Sequence, residues 1–259
     1  MAAIFEHCKK KGDFKFHNDL TKEICKETGF ANPFDVTHID NSDKFPENMR
    51  IADYFVVNLG KGWHQFVKGM KHGYHQFEDI PESERVPWKY KKGILDELDT
   101  SESNILSVSS NQRILYDFLY EDIRANPNVY NSRRTKMDMQ YSIGDTTITM
   151  DKLQMEIDFT LEFNGDVTVF EAKNGFPVDF AVYQIYHPFK YYFEMKARGR
   201  IDVKNVNCCY VLRKFIKGRS VIRFYLYAFD DLSNMGSLRL LKCREYILEQ
   251  RDVYGQQKL

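Results

Sequence analysis

The stretch MEIDFTLEFNGDVTVFEAKNG, residues Met155 to Gly175, holds Glu156, Asp158, Glu171 and Lys173. Carboxylates repel one another, so a chain that crowds them around one lysine needs a physical reason to do so. Asn164-Gly165 is a strong two-residue turn signal, because a type I′ turn requires positive φ at both central positions. A turn there sets Phe163 opposite Asp166. Continuing that register sets Asp158 opposite Glu171 and Glu156 opposite Lys173. Side chains alternate along a strand, so the four charged groups share one face. Ile157, Phe159, Leu161, Phe163, Phe170 and Ala172 then form an apolar opposite face. Facing carboxylates destabilise a strand pair unless a cation fills the gap. Magnesium suits that gap, since it takes one or two carboxylates, several waters and substrate phosphate. Asp158 and Glu171 are the candidate ligands, with the Ala172 carbonyl as a third. Lys173 beside them could orient or deprotonate a water, or offset charge in a phosphoryl transition state. The chemistry that fits this set is metal-assisted phosphodiester hydrolysis.

Ile157-Asp158, the turn, and then Glu171-Ala172-Lys173 together resemble the PD-(D/E)XK nuclease superfamily. Ile157-Asp158 stands where the family has Pro-Asp, and Glu171-Ala172-Lys173 is its E-x-K. The resemblance covers roughly residues 111–229 and looks closest to type II restriction endonucleases. It implies an α/β (α+β) fold: a mixed central β-sheet flanked by helices in a restriction-endonuclease-like core. It also implies a Mg2+ cofactor, which Mn2+ can replace, and double-stranded DNA as substrate. Cutting two strands takes two sites, so a homodimer is expected, with a cognate DNA methyltransferase as a genetic rather than physical partner. The family further implies an acid on a helix ahead of the core strands. Glu121 is the candidate, and Asp122 and Asp117 are its rivals. A glutamine on the helix after E-x-K is matched by Gln184. Two other readings stay open: a repair or junction-resolving nuclease of the same superfamily, and a non-catalytic DNA-binding module.

Several elements must position these groups. "NDLTKEICKETGF" reads as a helix capped by Asn18 or Asp19 and ended by Gly29. A second helix is expected from near Pro33, and a hairpin around Gly60-Lys61-Gly62. Helices followed by a hairpin suggest a smaller N-terminal lobe with a winged-helix-like plan. Residues 76–102 are polar and read as a connector, which divides the chain into 1–100, a DNA-recognition lobe, and 101–259, a catalytic domain. A helix is expected from Ser110 or Asn111 to before Pro127, followed by strands. Another helix should start near Asp179 and kink or restart at Pro188.

The chain has 259 residues, and Lys plus Arg equals Asp plus Glu at 37 each. Net neutrality excludes a general polyanion-binding coat, so DNA contact must be local. One local patch runs from Lys196 to Arg223, where Asp202 is the single acid. Lys196, Arg198, Arg200 and Lys204 are its expected phosphate contacts, joined by Arg133, Arg134 and Lys136 ahead of the core strands. Five cysteines without C-x-x-C spacing point to a reducing compartment, and Cys208 and Cys209 should face opposite sides of one strand. No apolar run reaches the length of a membrane span, and no signal peptide is visible. The setting expected is the cytoplasm of a prokaryote.

Overall fold

A computed structural model of the chain describes residues 1–91, 93 and 101–251. The N-terminal lobe contains α1 (Ala2–Lys11), β1 (Lys15–His17), α2 (Asn18–Thr28), α3 (Glu47–Ile51), β2 (Tyr54–Gly60) and β3 (Trp63–Lys68). Helix α2 begins where the His17 side chain accepts the Asp19 amide, and it ends at Gly29 in the left-handed region. The hairpin expected around Gly60-Lys61-Gly62 joins β2 to β3, and β1 adds to it in the order β1-β3-β2. The helix expected from Pro33 is absent, and residues 33–40 form turns instead. Asn32 Oδ1 accepts the Phe34 amide, and His38 Nδ1 donates to the Phe34 carbonyl. These local bonds take backbone groups that a helix would need. A winged helix would use this segment for recognition, so that part of the plan does not hold.

A short helix α4 (Met70–Gly73) and strand β4 (Tyr74–Gln76) lead into β5 (Arg85–Tyr90). Strand β5 falls inside the expected connector, yet it pairs in parallel with the last strand of the main sheet. The boundary expected at residue 100 lies outside the described residues. Next come α5 (Glu102–Asn111) and α6 (Ile114–Tyr120), where one helix from Ser110 was expected. The break is Arg113, whose φ of 63° is left-handed.

The strands that follow are β6 (Asn128–Tyr130), β7 (Arg133–Ile143), β8 (Thr146–Ile157), β9 (Phe159–Phe163), β10 (Asp166–Asn174) and β11 (Asp179–Ala181). Helix α7 (Tyr183–Ala197) then leads to β12 (Asn205–Ile216), β13 (Arg219–Phe229) and β14 (Leu238–Gln250). Seven strands make one mixed sheet, ordered β5-β14-β13-β12-β10-β9-β6, with β10–β12 and β14–β5 parallel. Helix α7 starts later than expected because residues 179–181 are a strand paired with β4. Its Ile185, Tyr186, Phe189 and Tyr192 are buried at helical spacing, and Pro188 lies within it.

The sheet separates two cores. Val167, Val169, Cys208 and Tyr210 face α7 and the N-terminal lobe. Phe159, Leu161, Phe170, Ala172 and Cys209 face α5 and α6. The expected apolar face is therefore present with one exception. Ile157 packs in the other core, because it ends β8, which pairs with β7 and not with β10. Among the described residues no helix is long and apolar enough to cross a membrane.

Candidate active site

Asn164 and Gly165 both have positive φ, and the β9–β10 register pairs Asp166 with Phe163 and Phe170 with Phe159. The ladder stops there. Asp158 sits one residue beyond its end, between β8 and β9, and Glu171 is the next residue on β10. The two carboxylates do not diverge. Both line one cleft of about 510 Å³, together with Lys173 and Gln184. Glu156 does not oppose Lys173 as the extended register implied. It belongs to β8, where it faces Arg134 and pairs with it at 2.9 Å, at the rim of the same cleft.

Lys173 Nζ donates to Glu171 Oε1 and to Glu102 Oε2, each at 2.9 Å. Gln184 Nε2 donates to the same Glu171 oxygen at 3.1 Å, and Gln184 Oε1 accepts the Tyr210 hydroxyl at 3.1 Å. Glu171 is thus gripped on one oxygen by two donors. Asp158 accepts the amide of Ala172. Each support has a local cause. Gln184 opens α7, which packs across β10 and β12, and Tyr210 projects from β12 on the same face.

Glu102 is the acid that the sequence did not single out. It lies in the first turn of α5, whose start is set by Ser101 Oγ accepting the Asn104 amide. Arg213 of β12 donates to Asn104 Oδ1 at 2.9 Å, which ties this helix end to the strand ends of the sheet beside Lys173. The Ser101 cap ahead of Ile105, Leu106 and Val108 was a visible helix start. Its polar surroundings read as connector.

Glu121 does not join the cluster. It caps the end of α6 with a left-handed φ of 54°. Of its rivals, Asp117 accepts from the Tyr246 hydroxyl and Asp122 pairs with Arg124. Helix α6 packs on the α5 face of the sheet, away from the cleft.

Burial dominates the electrostatics. The Glu171 side chain is 12% exposed. Burial and then the neighbouring Asp158 push its pKa up to about 8, against the pull of Lys173. Burial likewise raises Asp158, with Lys173 and the Ala172 amide acting the other way. Burial by itself would lower Lys173, but Glu171 and Glu102 outweigh it and hold the amine above its usual range. Glu171 and Glu102 both accept from Lys173 and favour its ammonium form. That favours orienting a water over deprotonating one.

Among the described residues, no three His, Cys, Asp or Glu side chains make a ready cage for a metal ion. The donor chemistry nevertheless fits a hard dication with water in its shell. Two carboxylates share a gap where burial pushes both toward protonation, which a bound dication would offset.

The expected DNA contacts scatter. Lys204 bonds through its amide to the Gly165 carbonyl at 2.7 Å, and Lys196 Nζ donates to the Lys204 carbonyl. Arg198 pairs with Glu194, and Arg200 lies in the same connection after α7. These four sit at the turn end of β10, six residues from Glu171, or roughly 20 Å at strand rise. Strands β10 and β12 are parallel, so the start of β12 lies at the end of the sheet opposite E-x-K. Arg133 donates to the Tyr192 hydroxyl and covers the rings of Tyr191 and Tyr192. Arg134 holds Glu156, and Lys136 lines a second cavity. Basic groups that do reach the Lys173 end include Arg223, level with Leu212 and Lys173, and Lys214, Lys217 and Arg219 beyond Arg213 on the β12–β13 hairpin.

Residues 69–247 match the family model of a domain of unknown function, DUF6997, and residues 1–66 match a second such domain, DUF6996. No curated protein and no solved structure matches the chain at a significant level.

Proposed function

The chain belongs to the DUF6997 family, and we propose that it is a Mg2+-dependent endodeoxyribonuclease acting on double-stranded DNA. One observation carries the reading. Asp158, Glu171, Lys173 and Gln184, gathered from a strand break, a strand and a helix, meet in one cleft. A solvated hairpin face would leave these groups in water, and a sugar- or peptide-cleaving carboxylate pair gives the lysine no task.

Asp158, Glu171 and the Ala172 carbonyl would hold the ion. An ion held there would supply Lewis acidity for phosphodiester hydrolysis. Lys173 donates from its ammonium, so it orients the attacking water and offsets charge on the phosphate oxygens. Gln184, itself held by Tyr210, fixes the orientation of Glu171. Glu102 shares the lysine and limits where its ammonium can point. In the reaction the water oxygen bonds to phosphorus, one phosphorus–ester oxygen bond breaks, one water proton ends on the released oxygen and the other stays with the new phosphate or passes to solvent.

The finer reading is a type II restriction endonuclease that cuts at a short sequence as a homodimer, paired genetically with a methyltransferase. The test is incubation of the purified chain with plasmid in Mg2+, Mn2+ or Ca2+, alongside Glu171→Ala. Discrete fragments in Mg2+ and none from the variant support the reading. Cutting only of branched substrates would move it to a junction-resolving enzyme. DNA binding without cutting in either Mg2+ or Mn2+ would leave a non-catalytic module.

A further inference from the structure

The active-site cleft continues into a second cavity of about 370 Å³, and the two share Thr37, His38, Asn58, Leu153 and Gln154. Their charge is opposite. The first collects Asp40, Glu102, Glu156, Asp158 and Glu171 around Lys173. The second is lined by Lys61, Lys136 and Lys152, of which Lys61 is paired with Asp151, and no carboxylate is among its lining residues. A groove that is acidic at one end and basic at the other suits a strand whose scissile phosphate sits with a cation and whose next phosphate sits on lysines.

The backbone at the junction is irregular in two places. The β7–β8 ladder slips between Met137 and Met139, and Lys152 has a left-handed φ of 49° with its amide held by Asp138. The β2–β3 ladder slips between Asn58 and Gly60, where Asn58 Oδ1 accepts the Gly60 amide. Bulges re-aim side chains, and they recur beside active sites. Here they bring Lys152 and Asn58 to the groove. Lys136 and Gln154 are directly opposed on β7 and β8, so a lysine and an amide stand side by side there. Phe34, 61% exposed, supplies an aromatic ring at the rim of the second cavity. Lysines for phosphate and amides for a base edge are what a nucleotide in a duplex requires.

We propose that this second cavity seats the nucleotide flanking the scissile phosphate, with Lys136 and Lys152 on its phosphate and Asn58 and Gln154 selecting its base. The proposal rests on the nuclease reading for the identity of the strand, but its test does not require cutting. Binding of the full chain to duplex oligonucleotides is measured in Ca2+ across a salt series, and base preference is measured by selection from a randomised duplex pool. Lys136→Ala/Lys152→Ala changes two exposed side chains. It should weaken binding at least tenfold and lower the salt slope by about one, at about 0.9 for the one phosphate the two lysines neutralise. Asn58→Ala and Gln154→Ala should leave the slope unchanged and relax preference about 5- to 100-fold at one or two adjacent positions. A wild-type slope in the double variant, an unchanged preference in both amide variants, or no DNA binding by the wild type would overturn the proposal. Expected binding effects in a chain that never cuts in Mg2+ would sink the nuclease reading and leave the groove standing. Cutting by the wild type with unaltered binding by all variants would do the reverse.

Discussion

Glu171→Gln should make the metal-free protein more tolerant of alkali. In the native chain the Glu171 pKa is raised from 4.5 to about 8, first by burial and then by Asp158. A native value above the unfolded one means that the folded state holds the proton more tightly between those limits. The stability this contributes is complete below pH 4.5 and is lost as pH rises through about 8. At about 1.36 kcal/mol per pH unit, the loss across that window reaches at most ~5 kcal/mol. For a chain of this length, that corresponds to a fall in Tm on the order of 10 °C. Glutamine keeps the shape and an oxygen for Lys173, but it does not titrate. Thermal melts of both proteins in EDTA from pH 5 to 9 isolate the effect, because other groups titrate in both. The variant should gain steadily on the wild type as pH rises. Added Mg2+ at pH 8.5 should recover stability in the wild type and much less in the variant. Parallel melting curves across the whole range would refute the idea that burial and Asp158 raise the Glu171 pKa.

Asp158→Ala and Lys173→Ala should each abolish plasmid cleavage while leaving the circular dichroism spectrum that of the folded wild type. Glu102→Ala should slow cleavage by about tenfold or more, in the range of a misplaced electrostatic group, and wild-type rates in that variant would remove Glu102 from the site. Gly60→Ala should destabilise the whole chain by several kcal/mol in urea titration. An added Cβ would meet the Asp151 carbonyl oxygen at 2.1 Å, and the φ of 86° is itself strained for alanine. His187 is buried against the Tyr141 hydroxyl at 2.8 Å, and burial lowers its pKa from 6.5 to about 3. The unfolded chain therefore binds the extra proton first. Stability should fall as pH drops from 6.5 toward 3, and His187→Gln should flatten that slope in acid-unfolding experiments.

The features legible before any coordinates were those settled by short-range geometry. Asn164-Gly165 dictates a turn because of its backbone freedom, and that turn dictates which residues face each other as far as Phe159 and Phe170. Gln184 was named from the resemblance alone, and it meets Glu171 because α7 packs across β10 and β12. The expected helix at residues 33–40 failed because Asn32 and His38 side chains compete for its backbone. Strand β5 was hidden because its partner β14 lies far along the chain, and its alternation was masked by polar neighbours.

Composition and local pattern thus specified a sheet-and-helix chain with two acids at the mouth of a hairpin. They could not specify which distant groups would meet those acids. Glu102 reaches Lys173 only because α5 is tied to β12 through Asn104 and Arg213. Lys196 to Lys204 miss the cleft only because a parallel crossover returns the chain to the opposite end of the sheet. Steric limits on φ and ψ act over a few residues and can be read from their names. Strand order, direction and burial come from the collapse of the entire chain, and burial is what turns Glu171 from an ordinary carboxylate into one with a pKa near 8.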